Sequence, residues 1–331
     1  MNVQPHRGCR SCSNQRVNPS IIKILETYLN RPWFLTSMKI VVTIPAFNEE
    51  HSLGKVIADI HEVMKKEKYD YEILVVDDGS RDNTREVSKE AGAKVFSHPI
   101  NFGLAETFKT EVKQCLKMGA DIIVHFDADG QYQAKDIPKL VDEIKKGNDL
   151  VLGSRFKGTI EEMSWLKRIG NTLFSQVISN VTRMRISDAQ TGFRAFTKEV
   201  AQALSIISNF TYTQEQIIRA AKEKFRIKEV PVYFAKRKHG KSRLFRHPFT
   251  FALRAWINIL RIYRDYEPLK FFGLFGGLFL FVGFIIGSWL VYLFLTTGAV
   301  GRLPFVMVTV LLVMIGFQIL LFGFLADMLR K

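Results

Sequence analysis

The C-terminal part of the chain contains two long stretches without any charged residue. They run from Phe271 to Val300 and from Leu303 to Ala326. Each is longer than the roughly 20 apolar residues that a helix needs to cross the hydrocarbon core of a bilayer. Helices buried in soluble domains rarely stay apolar on every side over such a length. The sequence therefore predicts two transmembrane helices, at about 271–297 and 303–326, joined by a short link into a hairpin.

The basic residues lie beside these apolar stretches. The formal net charge is +15, which by itself would also suit a membrane-associated nucleic-acid-binding protein. Many of the basic residues, however, fall between Lys236 and Arg264, and two more end the chain, whereas the hairpin tip carries only Arg302. The positive-inside rule then predicts a multi-pass protein of the cell membrane whose main domain and both termini are cytoplasmic. Basic residues in this position would bind the anionic headgroups of a lipid bilayer. Because the membrane accounts for the positive charge, we expect no nucleic-acid partner.

Cysteine usage indicates no disulfide framework. The chain has three cysteines, Cys9, Cys12 and Cys115, which agrees with a reducing compartment. Cys9 and Cys12 would form half a zinc site at most, because no second Cys/His pair at ligand spacing accompanies them. We predict that residues 1–37 are an N-terminal extension, partly disordered, whose role the sequence leaves open.

Apolar strands alternate with helical segments through the first half of the chain. The predicted strands are Lys39–Pro45, Tyr71–Val76, Lys94–Ser97, Asp121–Phe126 and Asp149–Leu152, with a later one at Lys228–Phe234. The predicted helices are Leu53–Met64, Asn83–Ala91, Leu104–Met118 and Ile137–Lys146. This alternation predicts an α/β domain with a mainly parallel sheet, and a ligand site at the carboxyl ends of its strands. We place this domain at 38–243, an amphipathic juxtamembrane segment at 244–269 and the transmembrane pair at 270–331.

The juxtamembrane segment has apolar residues at helical spacing with arginines among them. That pattern suits a helix lying in the membrane interface. It suits a helix packed against the α/β domain equally well.

Two carboxylates follow one of the predicted strands. Asp127 and Asp129 are separated by one residue directly after the strand that ends at Phe126. Hard oxygen ligands at this spacing can hold Mg²⁺ or Mn²⁺, and such an ion can neutralise a departing diphosphate. Because an isolated pair of this kind is common by chance, its neighbours decide how much it indicates.

Several segments surround this pair in a fixed order: Pro45–Glu50, Val75–Ser80, Asn101–Gly103, Asp127–Gln131, Gly153–Arg155, Asp188–Arg194 and Arg237–Arg243. In this order and spacing they closely resemble the family 2 glycosyltransferases of GT-A fold. The resemblance is strongest to the branch of dolichyl-phosphate mannose synthases and polyprenyl-phosphate glucosyltransferases. It covers about residues 38–331, and it implies a GT-A fold, Rossmann-like with a mainly parallel sheet, followed by interfacial helices and the transmembrane hairpin.

The resemblance implies a nucleotide-sugar site built from the strand ends. Its residues would be Pro45, Phe47, Glu49, Asp77, Asp78, Asp127, Ala128, Asp129, Gln131, Arg237 and Arg243. Asp127, Asp129 and Gln131 would hold the metal. Asp77 and Asp78 would lie at the base and ribose end, although a capped turn before a helix explains the same residues.

The resemblance also assigns arginines to phosphate groups. Arg155 and Arg168 would bind the acceptor phosphate, and Asp129, Arg155 and Arg237 would be catalytic. The planar guanidinium suits this task because it binds phosphate at two points and stays charged. Asp188 could serve as a general base, but the resemblance favours a structural loop that it forms with Gly192.

The function implied is transfer of a sugar from a GDP- or UDP-linked hexose to the phosphate of a polyprenyl or dolichyl lipid. Such an acceptor is already ionised at neutral pH and needs no general base, so we expect inverting transfer in one displacement. A processive polysaccharide synthase is the main alternative, but its Gln-x-x-Arg-Trp motif is absent from the sequence. The sequence leaves open the sugar, the nucleotide and whether the chain forms a homo-oligomer.

Overall fold

A computed structural model of the chain describes residues 38–203, 212–236, 257, 260–299 and 303–329. Its strands are β1 (Lys39–Ala46), β2 (Asp70–Asp77), β3 (Lys94–Ser97), β4 (Ile122–His125), β5 (Leu150–Ile160), β6 (Arg194–Thr197) and β7 (Ile227–Phe234). The helices of the same domain are α1 (Leu53–Lys66), α2 (Thr84–Glu90), α3 (Leu104–Lys117), α4 (Ile137–Lys145), α5 (Trp165–Thr182), α6 (Lys198–Ala203) and α7 (Tyr212–Lys222). Two long helices follow, α8 (Pro268–Thr297) and α9 (Leu303–Met328).

The strands form one sheet in the order β3-β2-β1-β4-β6-β5-β7. β3, β2, β1 and β4 run parallel to one another, and β5 runs parallel to β7. β6 runs antiparallel to both β4 and β5. The mainly parallel sheet predicted from the alternating pattern is therefore confirmed, with β6 inserted as a reversed strand.

Both faces of the sheet are covered, which explains why its strands are apolar almost throughout. On one face, β1 residues Ile40, Val42 and Ile44 pack with α1 and α4. On the other face, Val41 and Ile123 pack with α3, α5 and α7. The sheet thus separates two hydrophobic layers. The loops at the carboxyl ends of the strands lie outside these layers and contain the polar residues.

The element boundaries agree with the sequence pattern to within two residues for most elements. β5 is the exception, because it continues to Ile160 rather than ending at Leu152. Its extension pairs with β7 through Thr159 and Ile160 after an irregularity in register. The pattern also missed β6, a strand of four residues that begins with the fully buried Arg194.

α8 and α9 are long and apolar enough to cross a membrane. They pack antiparallel through glycines: a β-carbon on Gly276 would lie 2.8 Å from the carbonyl oxygen of Gly316, and one on Gly323 would lie 2.8 Å from Phe272 Cβ. Near the other end, the rings of Trp289 and Phe305 lie 5.7 Å apart. The glycines let the two backbones approach closely, as small residues do between helices in a bilayer.

Residues 260–266 are helical and connect the domain to α8. Ile262 is buried in the domain's hydrophobic core beside α3, α5 and α7, and Tyr266 packs against the same core. Lys222 Nζ lies 4.7 Å from the centre of the Tyr266 ring. Of the two interpretations of the juxtamembrane segment, packing against the domain therefore holds for these residues; residues 244–256, 258 and 259 lie outside the described residues.

Candidate functional site

Three neighbouring parallel strands end at the same edge of the sheet. Ala46 at the end of β1 pairs with Asp77 at the end of β2, and Thr43 pairs with His125 at the end of β4. The loops that follow these strands therefore lie side by side. They contain most of the residues predicted to bind a nucleotide sugar.

The loop after β1 is tied to the loop after β2 by side-chain hydrogen bonds. Asn48, at a positive φ of 54°, donates its N–H to Ser80 Oγ at 2.9 Å, and its Oδ1 accepts from the N–H of Arg81 at 2.8 Å. The Glu49 N–H donates to Thr84 Oγ1 at 2.9 Å. These bonds hold the loop that carries Pro45, Phe47 and Glu49, which lie half-buried at the strand ends, and their contact with a nucleotide stays a prediction.

Asp77 is buried and hydrogen-bonded within the protein. Its Oδ1 accepts from the Ser80 N–H at 2.9 Å, and its Oδ2 pairs with Arg85 at 3.1 Å. Burial alone would raise the pKa of Asp77, but the hydrogen bonds from Ser80 and Arg85 hold it below its ordinary value. Asp77 thus forms the capped turn that the sequence offered as the alternative.

Asp78 fixes a neighbouring loop. Its carboxylate accepts from the backbone N–H groups of Phe102 and Gly103, each at 2.9 Å. His98 Nδ1 lies 2.8 Å from the same carboxylate. Asp78 is 4% exposed. Its contacts in the structure are with the protein itself, and they hold the loop 101–103 beside the strand ends.

Asp127, Ala128 and Asp129 lie in the turn after β4. Asp129 Oδ1 accepts from the Gln131 N–H at 3.0 Å, and Gly130 takes a φ of +70° that closes the turn. Burial, together with the nearby charge of Asp129, raises the pKa of Asp127 to about 6. The charge of Asp129 thus adds to the effect of burial on Asp127.

These residues fit a divalent cation whose remaining ligands come from a substrate. Among the described residues, no group of three or more His, Cys, Asp or Glu side chains could hold a metal alone. Two carboxylates and the Gln131 amide provide oxygen ligands that Mg²⁺ or Mn²⁺ accepts, and they leave positions for phosphate oxygens. A bound cation would also favour the charged form of Asp127, which burial and the nearby Asp129 charge disfavour.

The loop of residues 188–193 lies against Asp127 and is held by hydrogen bonds. Thr191 Oγ1 donates to the Gly153 carbonyl at 2.7 Å. The fully buried Arg194 donates to the carbonyls of Thr191 and Ala189 at 2.8 and 3.1 Å. Burial lowers the pKa of Arg194 to about 10. These bonds hold Gly192 against the Asp127 carboxylate.

Arg155 and Asp188 form a buried bidentate ion pair. Arg155 Nε and Nη2 contact the two carboxylate oxygens of Asp188 at 2.7 and 2.8 Å. Arg155 is 5% exposed and Asp188 is fully buried. The guanidinium also lies 5.2 Å from the Phe234 ring. Asp188 is thus engaged as a structural residue of the loop, and the contact of Arg155 with an acceptor phosphate stays a prediction.

The other predicted arginines are not brought to Asp127 by any contact of the described residues. Arg168 is exposed on α5, and Arg237 and Arg243 lie outside the described residues. Gln131 Nε2 donates to the Ala235 carbonyl at 3.1 Å, and the Ala235 N–H donates to the Gln131 carbonyl at 2.8 Å. The turn with the two carboxylates is thereby joined to the residue that follows β7, two positions before Arg237 in the sequence.

Sequence reasoning missed a polar cluster below Asp127. Glu111 on α3, His125 at the end of β4 and Tyr212 on α7 are buried together. The signal was present, because Glu111 falls among Phe108, Val112 and Cys115 on the buried face of α3. A carboxylate at such a position needs a partner.

Comparison with known proteins places these features in a family context. The model for glycosyl transferase family 2 matches residues 41–205. A UDP-N-acetylglucosamine–dolichyl-phosphate N-acetylglucosaminyltransferase of Methanococcus voltae is 34% identical over 216 residues, which cover 58% of this chain and 84% of that protein. A dolichyl-phosphate hexose transferase of Haloferax volcanii is 31% identical over 199 residues, which cover 60% of this chain and 83% of that protein.

A solved structure shares the fold. Glucosyl-3-phosphoglycerate synthase from Mycobacterium tuberculosis, in complex with Mn²⁺, uridine diphosphate and glucosyl-3-phosphoglycerate, matches with a TM-score of 0.53 and 18% identity. The match covers 67% of this chain and 80% of that chain. It confirms the predicted GT-A fold.

Proposed function

This chain belongs to glycosyl transferase family 2 and is a glycosyltransferase of GT-A fold; from that premise we propose that it transfers a hexose from a nucleotide sugar to the phosphate of a polyprenyl or dolichyl lipid. The observation that carries the proposal is the pair Asp127 and Asp129 at the carboxyl edge of the sheet, in a chain that also has two helices apolar enough to span a membrane. The names of the two relatives support the lipid-phosphate acceptor.

The donor would lie across the ends of β1, β2 and β4. The linked loops at Pro45, Phe47 and Glu49 form the nucleotide side, and Asp77 and Asp78 hold the shape of its base and ribose end. The observed hydrogen bonds support these roles, because loops that are already held in one conformation lose little conformational entropy when a ligand binds. The base could be that of a UDP- or a GDP-linked sugar.

The diphosphate of the donor would lie at Asp127, Asp129 and Gln131. A bound Mg²⁺ or Mn²⁺ there supplies positive charge to the departing nucleoside diphosphate. The chain's own part is to keep the two carboxylates in place through the Gln131–Asp129 hydrogen bond and the loop at Gly192. Preorganised charge of this kind usually contributes most of the rate.

The acceptor phosphate requires no proton to be removed before it attacks the sugar. This agrees with the engagement of Asp188, whose two oxygens accept hydrogen bonds from Arg155 and which is therefore poorly suited to act as a base. A single in-line displacement would invert the configuration at the sugar carbon. Positioning of the two substrates would provide much of the acceleration.

Arginines would neutralise the two phosphate groups. We assign Arg237 and Arg243 to the donor phosphates and Arg168 to the acceptor phosphate. Arg155 would contact the acceptor phosphate through Nη1, because its Nε and Nη2 donate to Asp188. α8 and α9 would anchor the enzyme in the cell membrane. The catalytic domain and both termini would then lie in the cytoplasm, where nucleotide sugars meet the lipid phosphate.

The test is a direct assay of the full-length enzyme in detergent. A short polyprenyl phosphate is incubated with a panel of UDP- and GDP-linked hexoses, and the lipid product is identified by mass spectrometry. We expect one hexose joined through the phosphate. The unphosphorylated polyprenol and the Asp129→Ala variant serve as controls. Sugar transfer to the free polyprenol, or formation of a polymer, would overturn the proposal.

A further inference from the structure

Glu111 is a carboxylate in the hydrophobic core of the domain. It is fully buried on α3, in the layer that also contains Phe108 and Val112. Burying a carboxylate costs free energy unless hydrogen bonds replace its water. One of its oxygens, Oε1, has no hydrogen-bond partner among the described residues. An apolar residue would fill this place without that cost, so the carboxylate needs a reason beyond packing.

The other oxygen of Glu111 contacts His125. Glu111 Oε2 lies 2.7 Å from His125 Nδ1, and because a carboxylate only accepts, Nδ1 is the donor. Tyr212 OH lies 3.0 Å from His125 Nε2. The Phe108 ring packs at 5.3 Å from the imidazole and stacks on Tyr212 at 4.3 Å. The imidazole therefore has a partner at each nitrogen and packs edge-to-face with Phe108.

The imidazole ring faces the first carboxylate of the predicted metal site. His125 Nε2 lies 3.9 Å from Asp127 Oδ1. Gly192 lies on another side of the same carboxylate, where even a single added carbon would contact both oxygens. Asp127 is thus confined between an imidazole and a glycine, and Asp129 follows in the same turn.

We propose that His125 is a positioning residue for Asp127, and that Glu111 and Tyr212 hold its ring so that Asp127 keeps the conformation that binds the divalent cation. The inference rests on the proposed function in that it assumes a metal at Asp127. It extends that function into the core, to side chains that touch neither donor nor acceptor. Partners of this kind typically change metal affinity about 10- to 100-fold when they are removed.

The test removes the two tethers of the ring separately in the full-length enzyme. Glu111→Met takes away the acceptor at similar volume, Glu111→Gln restores an acceptor oxygen, and Tyr212→Phe removes one hydroxyl. Tyr71→Phe is the matched control, because Tyr71 OH also makes a hydrogen bond to a histidine, 2.7 Å from His61 Nδ1, in the opposite layer. The readout is the dissociation constant of Mn²⁺ by electron paramagnetic resonance, with UDP or GDP present, together with thermal unfolding.

We expect Mn²⁺ to bind about tenfold more weakly to Glu111→Met and several-fold more weakly to Tyr212→Phe. Glu111→Gln should recover part of the loss, and Tyr71→Phe should bind as wild type. Unchanged Mn²⁺ binding in Glu111→Met and Tyr212→Phe, with only their thermal stability lowered, would show a packing role and overturn the inference. If Glu111→Met does not fold, Tyr212→Phe decides alone.

An Asp127→Asn variant separates this inference from the metal site itself. Wild-type Mn²⁺ binding by Asp127→Asn would overturn the proposed metal site. Loss of binding there, with no effect in the Glu111 and Tyr212 variants, would leave the metal site standing and overturn only the role of His125.

Discussion

Gly192 lies directly against the carboxylate of Asp127: a β-carbon added to Gly192 would lie 2.5 Å from Oδ1 and 2.6 Å from Oδ2. These distances are far shorter than an ordinary van der Waals contact, so either the carboxylate or the loop must move. Gly192 is not among the glycines with a positive φ. The three atoms nearest to the added β-carbon all belong to the Asp127 side chain, so the clash falls first on that carboxylate.

Gly192→Ala should therefore lower kcat/KM by about a hundredfold, the order of loss that a misplacement of about 1 Å can cause. Gly277→Ala is the control, because a β-carbon at Gly277 meets no atom within 4 Å. Steady-state kinetics on both variants check the prediction. Wild-type kcat/KM in Gly192→Ala would mean that Asp127 needs no fixed position.

Removal of divalent metal should abolish transfer. Excess chelator is expected to stop the wild-type enzyme, and added Mg²⁺ or Mn²⁺ should restore it. Asp129→Ala should lose at least about a hundredfold in kcat, comparable to other losses of a group that stabilises transition-state charge, and added metal should not restore it. Thermal unfolding of the variant should stay near wild type because Asp129 lies in a surface turn. Full turnover in excess chelator would contradict the prediction.

The ion pair between Arg155 and Asp188 should matter strongly for stability. Removing one partner leaves an uncompensated buried charge, which typically costs about 3–5 kcal/mol. We expect Asp188→Leu and Arg155→Met to lower the free energy of unfolding by such amounts, and the double variant to lose less than the sum of the two. Denaturant unfolding of the four proteins gives the coupling. Strict additivity would show that the pair does not act as a unit.

The two neighbouring glycines of α8 should respond differently to alanine. A β-carbon on Gly276 would lie 2.8 Å from the Gly316 carbonyl oxygen and 2.9 Å from Leu320 Cγ, whereas one on Gly277 meets open space. Gly276→Ala should destabilise the helix pair by about 1–3 kcal/mol, as overpacking does. Gly277→Ala should be neutral or stabilising because alanine favours helix. Thermal unfolding in detergent measures both, and equal effects would argue against the hairpin packing.

Arg237 and Arg243 should be needed for phosphate binding even without a membrane. Replacing either by alanine removes a charge-assisted hydrogen bond of roughly 1.5–3 kcal/mol, which lowers kcat/KM about 10- to 100-fold. Lysine should recover only part, because it lacks the bidentate fork. The assay uses detergent and a short prenyl phosphate. Wild-type rates for both alanine variants there would show that these arginines only hold the domain against anionic lipid.

Most of the sheet could be predicted from the sequence because its strands are buried on both faces. Ile40, Val42 and Ile44 alternate with Val41 and Thr43 between two hydrophobic layers, which leaves a run of apolar residues bounded by turns. β6 gave no such signal. Its first residue, Arg194, is fully buried, and its charge is satisfied by carbonyl groups that only the folded loop brings together.

The candidate site was predictable as a set of residues and less so as a set of contacts. The spacing of Asp127 and Asp129 after a strand indicated where they would lie. Whether Asp78 faces a ligand or its own backbone depends on the loop at Phe102 and Gly103, which is distant in sequence. The contact between Glu111 and His125 could not be predicted either, because the two residues belong to different elements that only the fold brings together.

The helix 260–266 has a mechanical consequence for the enzyme. Ile262 is part of the domain's core, and only Glu267 separates this helix from α8, with backbone hydrogen bonds on both sides of it: its N–H donates to Tyr263 and its carbonyl accepts from Phe271. The domain is therefore joined to α8 by continuous backbone hydrogen bonds and not by a loose linker. With α8 in a bilayer, as we propose, changes in bilayer thickness that tilt α8 would be transmitted into the domain and would change the height of the site above the headgroups.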